Sequence, residues 1–218
     1  VRILGCSGGI GGRHLGTTAM LVDHDILIDA GTGVADLSLD ELVRVDHVFI
    51  THSHLDHIAA LPLMIDSVAD RRSVPLTVYA SAATLEVLRK HVFNWAIWPD
   101  FSEIAIRADA VMQYRTIEVG QQICLGGRTI TAVPAVHTVP AVGYHLDSGA
   151  GSLVFTGDTT SNDELWPLLN AIDNLRYLII ETAFSNEEAA LATLSRHLCP
   201  TLLHAELAKL ERDAEVYI

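Results

Sequence analysis

The segment Phe49-Ile50-Thr51-His52-Ser53-His54-Leu55-Asp56-His57 constrains this chain more than any other stretch. Asp46–Ile50 reads as a buried strand, rich in β-branched and aromatic residues. His52 and His54 are two positions apart, so an extended backbone projects both imidazoles to the same side. Asp56 and His57 follow where the chain turns into a helix, which aims a carboxylate and a third imidazole into adjacent space. Four ligand-type side chains at the end of one strand can seat two metal ions roughly 4 Å apart. Imidazole and carboxylate without thiolate suit zinc, manganese or iron.

Composition narrows the partners. Asp+Glu 27 against Lys+Arg 14 gives a net charge of −13 over 218 residues. That balance argues against a broad nucleic-acid surface, since phosphate backbones are held by clustered cations. A small anionic substrate remains compatible, because bound metal ions would supply the positive charge. Half of the residues are hydrophobic, which excludes disordered and fibrous classes. The richest apolar run, Ile58–Ile65, contains Pro62 and falls short of the roughly 18 residues that a membrane span needs. No membrane partner is therefore expected. Three widely spaced cysteines, Cys6, Cys124 and Cys199, form no disulfide or zinc-knuckle pattern. They read as buried or partly buried free thiols in a reducing compartment, hence a cytoplasmic location, and no secretory leader pattern is visible.

Short strands alternate with helices, without repeats or linkers. Val1–Leu4 runs into the glycine-rich Gly5–Gly16 loop, and Thr17–Val22 with Asp25–Asp29 reads as a hairpin. A helix over His57–Arg71, a strand over Pro75–Ala80 and a helix over Ala82–His91 follow. The second half is richer in strands: Gln113–Val119, Gln121–Leu125, Arg128–Val136, Gly143–Asp147 and Ser152–Thr156. Helix Asp163–Asn170, strand Tyr177–Glu181, helices Glu187–Leu194 and Pro200–Leu210, and a terminal strand complete the pattern. Two strand-rich halves with helices to cover one face of each predict a four-layer αββα sandwich of the α/β class.

Further ligands should lie at other strand ends. His137 follows one strand, and Asp158 follows another through the turn Thr156-Gly157-Asp158. A carboxylate shared by two cations neutralises and spaces them, and Asp158 is the bridging candidate. The remaining histidines, His24, His47, His91 and His204, read as surface or satisfied core positions. His204 is placed on one helix face with His197, seven residues earlier. His14 and His145 are weaker candidates for approaching a substrate. Trp95, Trp98 and Phe101 cluster in one stretch; packing or a dimer contact explains such a cluster more often than nucleobase stacking does.

The motif Thr51–His57 resembles the HxHxDH signature of the metallo-β-lactamase fold, and Leu27-Ile28-Asp29-Ala30-Gly31 resembles the strand motif that precedes it. In that superfamily the aspartate supports a ligand from behind, which implies that role for Asp29. Leu4-Gly5-Cys6-Ser7-Gly8-Gly9, the Gly143-Tyr144 pair after His137, and Glu181-Thr182-Ala183-Phe184 followed by Ser195-Arg196-His197-Leu198 resemble the phosphodiesterase branch. The likeness is strongest to class II 3′,5′-cyclic-nucleotide phosphodiesterases, and more distant to tRNase Z. The resemblance implies one metallo-β-lactamase-like domain over 1–218 and two divalent metal ions, zinc first, with manganese or iron as alternatives. The implied ligands are His52, His54, Asp56, His57, His137 and Asp158. Such a pair of ions generates hydroxide near neutral pH and steadies an in-line displacement at phosphorus. Asp56, Glu181 and His197 are the implied catalytic residues, with His197, oriented by Glu181, protonating the leaving alkoxide.

The expected substrate is a small phosphodiester such as a cyclic nucleotide, not long nucleic acid, and a homodimer is expected from the same resemblance. Alternatives are a tRNase Z-like endonuclease, a thioester, lactone or sulfate-ester hydrolase, and a non-catalytic metal-binding homologue. One departure stands out: the superfamily supplies a last histidine ligand after the final strand, here Glu215–Ile218. Strand-like segments at both ends predict a trimmed chain lacking a C-terminal tail. Without that last ligand, a first metal site (His52, His54, His137, Asp158) is expected to fill more fully than the second.

Overall fold

In the computed structural model residues 1–10, 15–106 and 109–218 are described. They divide into two units, Val1–Thr116 and Ile117–Ile218. His14 lies outside the described residues.

The first unit carries a six-stranded sheet. Its strands are β1 (Arg2–Gly5), β2 (Ala19–Val22), β3 (Ile26–Ile28), β4 (His47–Phe49), β5 (Leu76–Ala80) and, after the two-residue strands β6 (Ala105–Ile106) and β7 (Asp109–Ala110), β8 (Met112–Thr116). The order is β1-β2-β3-β4-β5-β8. β1, β2 and β3 are antiparallel neighbours, whereas β3, β4, β5 and β8 run parallel. Parallel neighbours need crossovers, supplied here by α1 (Leu39–Arg44), α2 (Leu55–Ile58), α3 (Leu61–Val68) and α4 (Ala82–Val87). Ser38 and Glu41 close a capping box that starts α1. Leu61, Met64 and Ile65 of α3 and Leu85 of α4 pack with Leu27, Val48 and Val78 in one core cluster. The alternate strand residues Ile26, Ile28, Phe49 and Tyr79 are buried too. That explains the near-continuous apolar strands, since parallel strands buried on both faces lose the in-out alternation.

The second unit carries β9 (Gln122–Leu125), β10 (Arg128–Pro134), β11 (Val142–Asp147), β12 (Ser152–Phe155), β13 (Leu175–Ile179) and β14 (Glu215–Tyr217). Their order is β14-β13-β12-β11-β10-β9. β9 through β12 form an antiparallel meander, and β12, β13 and β14 are parallel. Helices α5 (Leu165–Asn170), α6 (Ala189–Ser195) and α7 (Pro200–Leu207) supply the crossovers. Trp166, Leu169 and Leu203 join Val133, Val154 and Leu178 in a single cluster. Glu206, buried on α7, accepts from Asn162 N–H (3.1 Å), Trp166 Nε1 (2.6 Å) and Lys209 Nζ (2.7 Å), tying α7 to α5.

Several expectations are corrected. The helix read over His57–Arg71 is two helices, because Pro62 lacks an N–H and suits the first turn of a new helix. Ala60 N–H instead bonds Ala30 O at 2.8 Å. The helix read over Ala82–His91 widens into a π turn at Leu88–Val92. His197 lies in the connection between α6 and α7, so helical spacing does not relate it to exposed His204. Cys199 is buried, but Cys6 and Cys124 are exposed. Phe101 is a core residue and Trp98 packs on that core, which leaves Trp95 as the exposed ring of the three. Ala82–Val92 leads away from the C-terminal end of β5, and Phe101 O accepts from Met112 N–H at the start of β8. The Trp95 loop therefore sits at the opposite end of the parallel strands from His52, which removes the structural ground for base stacking beside the histidines. Among the described residues no helix is long and apolar enough to cross a membrane.

Candidate metal centre

In the first unit, β4 ends at Phe49, the chain bends at Thr51, and His54 caps α2 in an extended conformation with φ −66° and ψ 148°. This segment and the short helix bring the rings together. His52 and His54 centroids are 4.7 Å apart, and those of His52 and His57 are 4.1 Å apart. His52 and His57 are buried, while Asp56 is partly exposed, with Oδ2 3.5 Å from His57 Nε2.

Asp29 organises this corner from behind. It is fully buried and left-handed (φ 56°), a conformation that aspartate tolerates better than most residues. Its carboxylate accepts from Thr51 N–H (2.7 Å), Thr51 Oγ1 (2.9 Å) and His57 Nδ1 (2.8 Å). Burial pushes the Asp29 carboxyl above the usual range, and the His57 and Thr51 contacts oppose that push. The Thr51 hydroxyl spends its proton on Asp29, so at 3.0 Å from His52 Nδ1 it must accept. Both imidazoles are thereby set as Nδ1–H tautomers, with the lone pair on Nε2. Gly31 permits the close approach of these segments, since a Cβ there would lie 2.1 Å from Asp56 O.

The second unit builds a comparable group. His137, Asp158 and His197 each offer a ligand-type atom, and these atoms lie within 4.8 Å of one another. Asp158 follows β12 through Gly157, whose φ is +62°. Thr159 locks this loop to the segment before His137: its Oγ1 accepts from Val136 N–H at 3.0 Å, and Thr160 N–H donates to Val136 O at 2.9 Å. Gly143, the glycine of the Gly143-Tyr144 pair, lets β11 approach the end of β12, since a Cβ would meet Phe155 O at 2.5 Å. His137 Nδ1–H donates to Arg196 O at 3.2 Å. His197 Nδ1 donates to Glu181 Oε1 at 2.6 Å, and its ring stands edge-on to His137 at 4.8 Å. Glu181 also accepts from Thr159, Ala183 and Leu198 N–H groups at 2.9, 3.2 and 3.2 Å.

Every residue singled out in the sequence as a ligand or catalytic group falls into one of these two within-unit groups. Four imidazoles share one arrangement: Nδ1 is engaged by a protein acceptor and Nε2 carries the lone pair. This is the form in which histidine binds a metal, and with the carboxylates it makes a nitrogen and oxygen donor set suited to zinc, manganese or iron. Thr51 and Arg196 escaped the sequence reading as orienting groups. Thr51 lay inside the motif but carries no ligand atom, and Arg196 acts across 59 residues. His24, His91 and His204 are exposed. Burial pushes the half-buried His145 imidazole below the usual histidine range, with Asp147 opposing.

A model of the Beta-lactamase superfamily domain matches residues 24–211. The chain belongs to this superfamily. YhfI from Bacillus subtilis, a metallo-β-lactamase fold protein of known structure, matches 99% of this beta-lactamase superfamily member and 94% of its own chain. Its TM-score is 0.73 at 18% identity, which shows the same fold. A probable 3′,5′-cyclic-nucleotide phosphodiesterase of Yersinia pestis is 31% identical over 183 residues, 77% of this chain and 52% of that protein. A ribonuclease Z of Methanopyrus kandleri is 28% identical over 157 residues, 68% of this chain and 50% of that protein. The superfamily member thus spans about half the length of these two relatives.

Proposed function

We propose that this chain is a metal-dependent phosphodiester hydrolase acting on small substrates of the 3′,5′-cyclic-nucleotide kind. The residues that would hold divalent ions are His52, His54, Asp56 and His57 in the first unit and His137 and Asp158 in the second. Bound divalent ions supply Lewis acidity toward water and the phosphoryl oxygens. Asp29 and Thr51 keep His52 and His57 in the ligating tautomer. Asp56, the more exposed carboxylate, is placed to accept a proton from attacking water. His197, held through Nδ1 by Glu181, directs Nε2 toward the leaving oxygen and donates a proton there when the ring is doubly protonated, an imidazolium form that the neighbouring carboxylate favours.

The observation that carries this reading is the Glu181–His197 pair beside His137 and Asp158. Ester cleavage at phosphorus expels an alkoxide that needs a proton, and this pair is a histidine oriented for that purpose. The likeness to the Yersinia phosphodiesterase supports the same substrate class. A ribonuclease reading has the Methanopyrus relative in its favour. Against it stands the net charge of −13, which repels a long polyanion.

Turnover by the metal-loaded protein tests the proposal, with cyclic AMP, bis(p-nitrophenyl) phosphate, a precursor tRNA and a thioester as competing substrates. Hydrolysis of the first two is expected. Cleavage of the thioester or the RNA alone would overturn the small-phosphodiester assignment. His54→Ala should lose metal, whereas His197→Ala should retain metal and lose rate on the order of 100-fold. An unimpaired His197→Ala variant would remove that residue from the mechanism.

A further inference from the structure

Arg196 ends α6 in the left-handed conformation, with φ 55° and ψ 51°. Glycine adopts that conformation without strain and arginine does not. Non-glycine residues hold such a conformation only where their surroundings enforce it, commonly near functional sites. Here two reciprocal bonds do so. His137 Nδ1–H donates to Arg196 O at 3.2 Å, and Arg196 Nη1 donates to His137 O at 2.8 Å. Together they close a clasp between segments 59 residues apart. The next residue is His197, anchored on Glu181, with its ring 4.8 Å from that of His137.

We infer that Arg196 is a positioning residue that holds the His137 imidazole in orientation and in register with His197. This inference rests on the phosphodiesterase reading and adds to it a group that touches neither substrate nor metal. The two halves of the clasp do different things. The backbone carbonyl fixes the His137 tautomer, and any residue at 196 could offer it. The guanidinium fixes the His137 peptide, and therefore the direction of the ring. The segment before His137 is separately tethered by Thr159 and Thr160, so loss of the guanidinium leaves a folded loop with one restraint removed. Glycine would relieve the backbone strain but would abolish the guanidinium bond.

Arg196→Ala, Arg196→Gly and Arg196→Lys in the full chain separate positioning from simple stabilisation. Zinc affinity is read by competition with a chromophoric chelator. Orientation and tautomer are read from the long-range 15N–1H histidine spectrum of the metal-free protein. kcat and KM are read on bis(p-nitrophenyl) phosphate. Ala and Gly should each weaken zinc affinity about 10-fold and lower kcat by a similar factor, as supporting partners of metal histidines do, with KM changed less than about twofold. Lys should recover part of both. The Gly variant should melt no lower than the Ala variant while losing as much zinc affinity, a pattern that a purely structural role cannot produce. Wild-type zinc affinity and unchanged His137 signals in Ala and Gly would overturn the inference. Zinc and spectral readouts need no turnover, so a wild-type protein inert toward phosphodiesters would refute the enzymatic reading separately.

Discussion

Asp29→Asn is the sharpest single perturbation of the first-unit histidine corner. Asparagine is nearly isosteric and tolerates the left-handed backbone (φ 56°), so the fold is not strained by the change. Oδ1 keeps its bond from Thr51 N–H. At the other position an NH2 donor replaces the oxygen that accepts from Thr51 Oγ1 at 2.9 Å and His57 Nδ1 at 2.8 Å. Donor now faces donor, and the contact survives only if His57 moves its proton to Nε2, the nitrogen proposed to ligate. Thr51 can keep its hydroxyl proton on Oδ1, 3.1 Å away, so its hold on His52 is retained and the loss falls on His57. A hydrogen bond to a charged group is worth about 1.5–3 kcal/mol, and the site is fully buried, so solvent does not screen the loss. At about 1.4 kcal/mol per decade, zinc affinity should fall roughly 10- to 100-fold. Chelator competition measures the affinity, and the histidine 15N spectrum of the metal-free protein reads the tautomer. Wild-type zinc affinity with His57 still protonated at Nδ1 would refute the argument that Asp29 sets the ligating form.

Other consequences can be checked independently. Gly31→Ala brings a Cβ to 2.1 Å from Asp56 O and 2.3 Å from Thr17 Oγ1, so a destabilisation of about 3 kcal/mol or more is expected, seen as a melting point lower by roughly 6–12 °C. Burial pushes the Glu206 carboxyl up, but the bonds from Lys209, Trp166 and Asn162 together outweigh it and hold the carboxyl below the usual glutamate range. The resulting stability is present above the unfolded value near pH 4.3 and is lost as pH falls through the folded one, so Glu206→Gln should flatten the acid limb of the melting curve. Burial lowers the His145 pKa, so stability should decline as pH falls below about 6.5, and His145→Gln should remove that component in a pH-dependent melt. Trp95→Ala should leave kcat and KM unchanged, because that loop lies at the strand ends away from His52; a raised KM for cyclic AMP would restore the stacking idea.

The candidate ligand positions stood out because each lies shortly after a strand, where chain direction is fixed locally. His52 and His54 needed only an extended backbone, and Asp158 only a glycine turn. The first hairpin and the helix-covered faces followed from apolar runs in the same way, whereas the strand order in either sheet did not. What sequence could not supply was long-range. Thr51 matters because Asp29, 22 residues earlier, consumes its proton, and Arg196 because a helix terminus returns to His137. Helix lengths also misled. Apolar spacing ran continuously through Pro62, yet the chain used that proline to begin α3 afresh after Ala60 reached back to Ala30. The aromatic stretch was read chiefly as packing, and Phe101 and Trp98 do pack around Phe93 and Tyr114.

Glu181 accepts from His197, from Thr159 beside Asp158, and from the backbone on both sides of the α6 segment, at Ala183 and Leu198. One carboxylate thus ties together the proposed acid, the loop of the bridging-ligand candidate and the approach of the helix connection. Rate losses from Glu181→Gln and His197→Ala should consequently overlap instead of adding, with the double variant about as slow as the slower single one. The kinetic weight of either residue belongs to the pair, and a double-mutant cycle with a coupling energy near zero would show that the shared carboxylate joins them in space alone.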